Sequence, residues 1–221
     1  MSKVDGSKIR NVALLSHSGA GKTVITESAL VEAKMVSRFG TITDGNTVSD
    51  YEPEEHKRQA SVQTSIVSCV WNDHKINFIV ADYRGYGLSS GSPSKDNLHS
   101  DSNKIFSYVR KSLEENNYNR KMIIMGRSLG SASACEIISN HEKKIDGCII
   151  ESGFGTELPL MRILALSPSD VEYNPKDGFE NLRKLVSYSK PILIIHADRD
   201  DIIPIDEARI MHKEVGSEKR Y

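Results

Sequence analysis

Short apolar runs alternating with amphipathic stretches constrain this chain more than any other feature. Val12–Leu15, Ile66–Val70, Ile76–Ala81, Met122–Met125, Cys148–Ile150 and Ile192–Ile195 are mostly continuous and rich in β-branched residues. Continuous apolarity marks strands covered on both faces. Between these runs, Ile25, Ala29, Ala33 and Val36 share one helical face, as do Leu98, Ile105, Val109 and Leu113. Leu129–Ile138, Phe179–Val186 and Asp206–Val215 also read as helices. The alternation predicts an α/β fold: a three-layer, mostly parallel sheet with helices on both faces.

Length and charge narrow the function classes. The chain has 221 residues, 38% of them hydrophobic, and a formal net charge of -1. That balance gives no global attraction to nucleic acid or an anionic membrane, so no nucleic-acid partner is expected. No apolar run is long enough for a membrane span, and the first residues lack the apolar core of a secretory leader. Cys69, Cys135 and Cys148 are widely spaced in apolar surroundings. They read as reduced, buried thiols in a cytoplasmic protein rather than a disulfide or zinc site.

The segment Ser16-His17-Ser18-Gly19-Ala20-Gly21-Lys22-Thr23 follows an apolar strand and opens a helix. This is the setting of a phosphate-binding loop, with Ser16 in place of the usual first glycine. Backbone N–H groups of Ser18, Gly19, Ala20 and Gly21 would surround a phosphate, and Lys22 would reach the terminal phosphates. The Thr23 hydroxyl would bind Mg²⁺. Downstream, Asp44–Ser61 is a long polar loop of the kind that is either functional or disordered.

Asp44-Gly45-Asn46-Thr47-Val48-Ser49-Asp50-Tyr51-Glu52-Pro53, Lys57-Arg58-Gln59-Ala60-Ser61 and Trp71-Asn72-Asp73-His74-Lys75-Ile76-Asn77 complete a resemblance. From about Arg10 to about Phe78 the chain closely resembles the start of a translational GTPase of the elongation factor G type. The resemblance implies a bound Mg²⁺-nucleotide and a first switch loop over Asp44–Ser61. It also implies Ser61 as a magnesium ligand, with Asp82 of Asp82-Tyr83-Arg84-Gly85 as a water-mediated one. The guanine-reading NKxD is missing, since Ile105-Phe106 follows Asn103-Lys104, so nothing selects guanine over adenine.

Gly126-Arg127-Ser128-Leu129-Gly130 follows one strand and opens an apolar helix, the strand–turn–helix setting of a nucleophile elbow. The glycines permit the sharp turn that presents Ser128, and the Leu129 N–H supplies half of an oxyanion hole. Asp82-Tyr83-Arg84-Gly85-Tyr86-Gly87 precedes it, and His196-Ala197-Asp198-Arg199-Asp200-Asp201-Ile202-Ile203-Pro204 follows. From about Ile76 onward the chain resembles a single-domain α/β-hydrolase. That implies Ser128 as nucleophile and Asp200 as the acid that orients a histidine, acting on an ester, thioester or amide with no cofactor. In that family the histidine follows one more strand, and no histidine follows His212 here. His17, His56, His74, His99 and His141 precede the acid, His196 opens its turn and His212 falls on the last helix. Little triad turnover is therefore expected.

The two resemblances divide the chain into residues 1–79 and 80–221, each too short to bury a core alone. Merging the two plans gives one sheet domain. Its strand order is Ile66–Val70 as an antiparallel edge, then Ile76–Ala81, Val12–Leu15, Met122–Met125, Cys148–Ile150 and Ile192–Ile195. It places the phosphate loop and Ser128 at the carboxyl ends of neighbouring strands, where the loop's amides would serve as an oxyanion hole. Three functional readings remain open from sequence: a serine hydrolase scaffold, a Mg²⁺-nucleotide module, and a fusion with neither activity.

Overall fold

Asn72 and Asp73 lie in the left-handed region, at φ 47° and 61°. Positive φ at both central residues is what a two-residue hairpin turn needs to match strand twist. They join β2 (Ser65–Trp71) to β3 (His74–Ala81) in antiparallel register, from Ser65 opposite Val80 to Trp71 opposite His74. The computed structural model describes residues 6–15, 21–49, 65–81, 83–85, 89–118, 120–169, 173, 174 and 177–216. Within them β1 (Ile9–Leu15) pairs parallel to β3, from Ile9 opposite Lys75 to Leu15 opposite Ala81. With β4 (Lys121–Arg127), β5 (Gly147–Glu151) and β6 (Ile192–Ile195), these form a six-stranded sheet in the order β2-β3-β1-β4-β5-β6. That is the strand order expected from the sequence.

The chain divides into two compact units, Met1–Ile123 and Ile124–Tyr221. In the first, α1 (Lys22–Glu32) packs Leu30 against Val67 and Cys69 of β2, with Ala33, Val36, Ile76 and Phe78 around them. Periodicity carries the helix to Val36, but it stops earlier. Lys34 turns left-handed at φ 56°, and the Lys34 and Met35 N–H groups donate back to the Val31 and Leu30 carbonyls. These are the two bonds of a Schellman end, here without its usual glycine. Ala33 and Val36 still reach the same apolar cluster from outside the helix.

The next helix, α2 (Lys95–Glu115), is capped by Ser94, whose hydroxyl accepts from the Asn97 N–H at 3.1 Å. It buries Leu98, Phe106, Val109 and Leu113, so Phe106 takes the innermost place that spacing assigns to Ile105. Across the sheet runs a polar ladder in register. The Ser68 hydroxyl donates to Asn77 Oδ1 at 2.7 Å, and Asn77 Nδ2 to Asn11 Oδ1 at 2.8 Å. Asn11 Nδ2 donates to the Tyr118 and Lys121 carbonyls at 2.9 and 3.3 Å. Asn11 and Asn77 are fully buried, so each of these bonds offsets a desolvation cost.

In the second unit, β5 and β6 pair parallel, from Cys148 opposite Ile192 to Glu151 opposite Ile195. α3 (Gly130–His141) and α5 (Asn181–Ser187) are clamped by a largely buried ion pair, Lys184 Nζ to Glu136 Oε2 at 2.6 Å. The stretch from Gly153 to Gly178 reads in sequence as an irregular excursion or lid, yet it holds a short helix, α4 (Leu158–Ile163). The excursion is tied down. Gly155 N–H donates to Glu207 Oε2 at 2.8 Å, and Glu157 accepts from Tyr173 Oη at 2.7 Å and from the Phe179 N–H. α6 (Ile205–Glu214) closes the described chain. All three cysteines are free and buried, and burial pushes the Cys135 thiol up to about 12. Among the described residues no helix is long and apolar enough to cross a membrane.

Candidate active site

At the end of β4 the chain must reverse into α3 within two residues, and Gly126 makes room for it. A Cβ on Gly126 would collide with the Gly130 carbonyl and sit 2.7 Å from Ala134 Cβ. Strand and helix therefore approach more closely than any other residue type would allow. Ser128 at the apex is left-handed, at φ 52°. For a residue with a Cβ this costs about 1–2 kcal/mol and persists only where neighbours enforce it. Three bonds do so. The Ser128 N–H donates to the Glu151 carbonyl at 3.0 Å, and the Ser128 carbonyl accepts from the Ser131 N–H at 2.9 Å and hydroxyl at 2.7 Å. Leu129 immediately precedes α3, so its N–H is one of the helix-start donors that lack an intrahelical acceptor.

The acid lies in the turn after β6. Asp200 Oδ1 accepts from the Ile202 and Ile203 N–H groups at 3.0 and 2.9 Å. Burial pushes this carboxyl upward, but the Ile203 and Ile202 amides, the Ser152 hydroxyl and His196 together hold it below the usual carboxylate value. Ser152 is a participant that sequence reasoning missed. It follows β5 at φ 44°, its N–H donates to the Ile195 carbonyl at 2.9 Å, and its side chain bonds Asp200. Glu151 and Ser152 thus link the Ser128 backbone to the Asp200 carboxylate through consecutive residues. The serine directly behind the strand Cys148-Ile149-Ile150-Glu151 was the available signal.

His196 Nε2 lies 3.7 Å from Asp200 Oδ2, but its hydrogen bond goes to the Ile203 carbonyl at 2.7 Å. Its side chain is 2% exposed. A ring held in that way ties the 196–203 turn together and is withdrawn from any substrate.

In the first unit, Gly21 caps α1 at φ 85°, with the nearly buried Lys22 and Thr23 as the first helical residues. The left-handed glycine is the backbone form that a phosphate loop requires before its lysine. Ser18, Gly19, Ala20, Ser61 and Asp82 lie outside the described residues, and with them the proposed neighbourhood of the phosphate loop and Ser128.

The elbow, the strand order and the solved structures that superpose on this chain define its class: an α/β-hydrolase fold. The Est1E structure from Butyrivibrio proteoclasticus, with ferulic acid bound, superposes at a TM-score of 0.62 and 14% identity. That match covers 100% of this chain and 80% of Est1E. At the level of particular relatives the chain is divided. Residues 63–166 match the family model of serine aminopeptidase, S33, and residues 7–82 match that of the elongation factor Tu GTP binding domain. The N-terminal part is 44% identical over 79 residues to mitochondrial ribosome-releasing factor 2 of Vanderwaltozyma polyspora, covering 35% of this chain and 10% of that protein. It is 41% identical over 73 residues to elongation factor G of Gluconobacter oxydans, covering 33% and 10%. The chain therefore spans about a tenth of the length of these curated relatives.

Proposed function

We propose that the Ser128 turn is a serine-hydrolase nucleophile site that accepts the acyl group of an ester, thioester or amide and turns it over slowly. The observation that carries this reading is the strained left-handed Ser128 at a glycine-framed strand–helix turn. Ser128 Oγ would bond the carbonyl carbon, and the Leu129 N–H would donate to the developing oxyanion. The serine proton would leave through solvent to the departing alcohol, thiol or amine. Asp200 is held in its charged form and well anchored, while His196 beside it bonds the Ile203 carbonyl, which supports a site without an efficient general base. Acylation and deacylation are both slow on this reading.

A fluorophosphonate probe on the folded chain tests this, with the adduct mapped by peptide mass spectrometry. The expected result is slow labelling of one residue, Ser128, with no adduct on Ser128→Ala, and slow p-nitrophenyl acetate cleavage that is lost in Ser128→Ala. No adduct at Ser128 on the folded wild-type chain would overturn the reading.

A second reading is favoured by Gly21, Lys22 and Thr23 in the first unit, and by the elongation-factor relatives. Here residues 1–79 form a Mg²⁺-nucleotide segment and residues 80–221 a hydrolase segment. Lys22 and the amides that lead into α1, with Ser18, Gly19 and Ala20, would hold the phosphates. Thr23, Ser61 and Asp82 would hold magnesium. When bound, the metal would neutralise phosphate charge. Binding without efficient hydrolysis is the expected behaviour, because the switch elements are broken as well as the base-reading one: Asp82-Tyr83-Arg84-Gly85 stands where the resemblance calls for DTPG.

A further inference from the structure

Glu27 is a buried carboxylate, 1% exposed, on the helix that starts with Lys22 and Thr23. It lies one turn beyond Thr23, so the two residues share a helix face. Both of its oxygens are spent on backbone N–H groups. Oε2 accepts from Gly40 at 3.2 Å, and Oε1 from Val48 at 2.6 Å. Gly40 and Val48 are the two ends of a loop that closes on itself. The Thr41 N–H donates to Asn46 Oδ1 at 2.8 Å, the Thr41 hydroxyl to Asp44 Oδ2 at 2.7 Å, and the Gly45 N–H to the Ile42 carbonyl at 3.1 Å.

The fit is tight. A Cβ on Gly40 would stand 2.6 Å from Glu27 Oε2, 2.8 Å from the Asn46 carbonyl and 2.9 Å from Thr47 Cα. Desolvating a carboxylate to hold a loop is costly unless its hydrogen bonds are well made. Charge-assisted bonds from two amides are strong and directional, which suits a fixed position rather than general packing.

We propose that Glu27 is a positioning residue for nucleotide binding, a latch that fixes the Gly40–Val48 loop to the phosphate-binding helix. The proposal rests on the Mg²⁺-nucleotide reading. Val48 precedes Ser61, the magnesium ligand of that reading, by thirteen residues in the chain. The latch ties the Gly40–Val48 loop to the helix that carries Thr23, a magnesium ligand of that reading, so it protects the magnesium-dependent share of the affinity. By reciprocity, a nucleotide that steadies the start of α1 also steadies the Gly40 and Val48 amides.

The test uses the full chain, wild type and the variants Glu27→Gln, Glu27→Ala and Lys22→Ala. Nucleotide affinity is measured in excess Mg²⁺ and in EDTA, and amide exchange at Gly40 and Val48 with and without nucleotide. Glu27→Ala is expected to lose amide protection at both positions and about tenfold of affinity in Mg²⁺, with affinity in EDTA unchanged. Glu27→Gln, which keeps its shape and one acceptor oxygen, is expected to fall between it and wild type. Lys22→Ala is expected to lose affinity in both buffers and to keep the amide protection.

Unchanged protection at Gly40 and Val48 in Glu27→Ala would overturn the latch. Equal losses with and without Mg²⁺ would mark general destabilisation and overturn the positioning role. A wild-type chain that binds nucleotide alongside a Glu27→Ala chain that binds identically would sink this proposal alone. A wild-type chain that binds no nucleotide would remove the reading and the proposal together.

Discussion

Ser128 is held in a backbone conformation that its Cβ disfavours. A glycine would adopt φ 52° without strain. Ser128→Gly is therefore expected to raise stability by about 1 kcal/mol while abolishing probe labelling, read from urea unfolding. An unchanged or lower urea midpoint would show that the turn stores no strain.

Asp200 makes a pH prediction. Its folded value lies below that of the unfolded chain, about 3.9, because amides and the Ser152 hydroxyl favour the charged form. The stability it contributes is therefore present above about pH 4 and is lost as pH falls through the folded value. Asp200→Asn should lower the urea midpoint at pH 7 and approach wild type below pH 4. A gap that stays constant down to pH 3 would contradict the assignment. Gly126, Ser128 and Gly130 were legible because their spacing within five residues carries the whole constraint. Ser152 and Glu27 were not, because the groups they hold lie 48 residues ahead at Asp200, and 13 and 21 ahead at Gly40 and Val48.

Among the elements, strands were legible and helix ends were not. Each strand is an apolar run whose periodicity reports burial directly. The end of α1 at Glu32 depends on a left-handed lysine, which no local residue type announces, while apolar contacts continue past it. α4 escaped because it is six residues long with proline in its first turn.

The polar ladder sets strand register. Asn77 lies opposite Asn11 on one side and Ser68 on the other, so a slip by one residue would leave buried amides without partners. Asn77→Ala strands Asn11 Oδ1 and the Ser68 hydroxyl, and is expected to cost about 2–4 kcal/mol in urea unfolding. The paired change Asn11→Val with Asn77→Val is expected to cost less than the sum of the single changes. Strict additivity would show that the two amides are not coupled.

At the scale of the molecule, the family boundary and the structural boundary fall in different places. The two family matches overlap at residues 63–82, whereas the compact units meet after Ile123, within β4. The first unit therefore holds the whole GTPase-like segment together with the start of the hydrolase-like one. Contacts made across the join are specific. Asn11 donates to the Tyr118 and Lys121 carbonyls, and Lys75 Nζ stands 4.6 Å above the Tyr118 ring and donates to its hydroxyl at 3.2 Å. The Tyr118 N–H in turn donates to the Leu113 carbonyl at the end of α2 at 2.7 Å.

Two families can share one sheet here because both plans place a parallel strand beside the one that ends at Ala81. That common geometry made the strand order legible in the sequence. The extent of the first unit was not legible, because it depends on side-chain bonds between residues more than a hundred positions apart.

Denaturant-dependent amide exchange on the intact chain probes this union most directly. The amides of Val12–Leu15 in β1 and of Phe106–Leu113 in α2 are predicted to open together, with one unfolding free energy and one denaturant slope. A β1 that exchanges through its own shallower, lower-energy opening while α2 stays protected would contradict the account, leaving a borrowed segment resting on a fold it does not help to build.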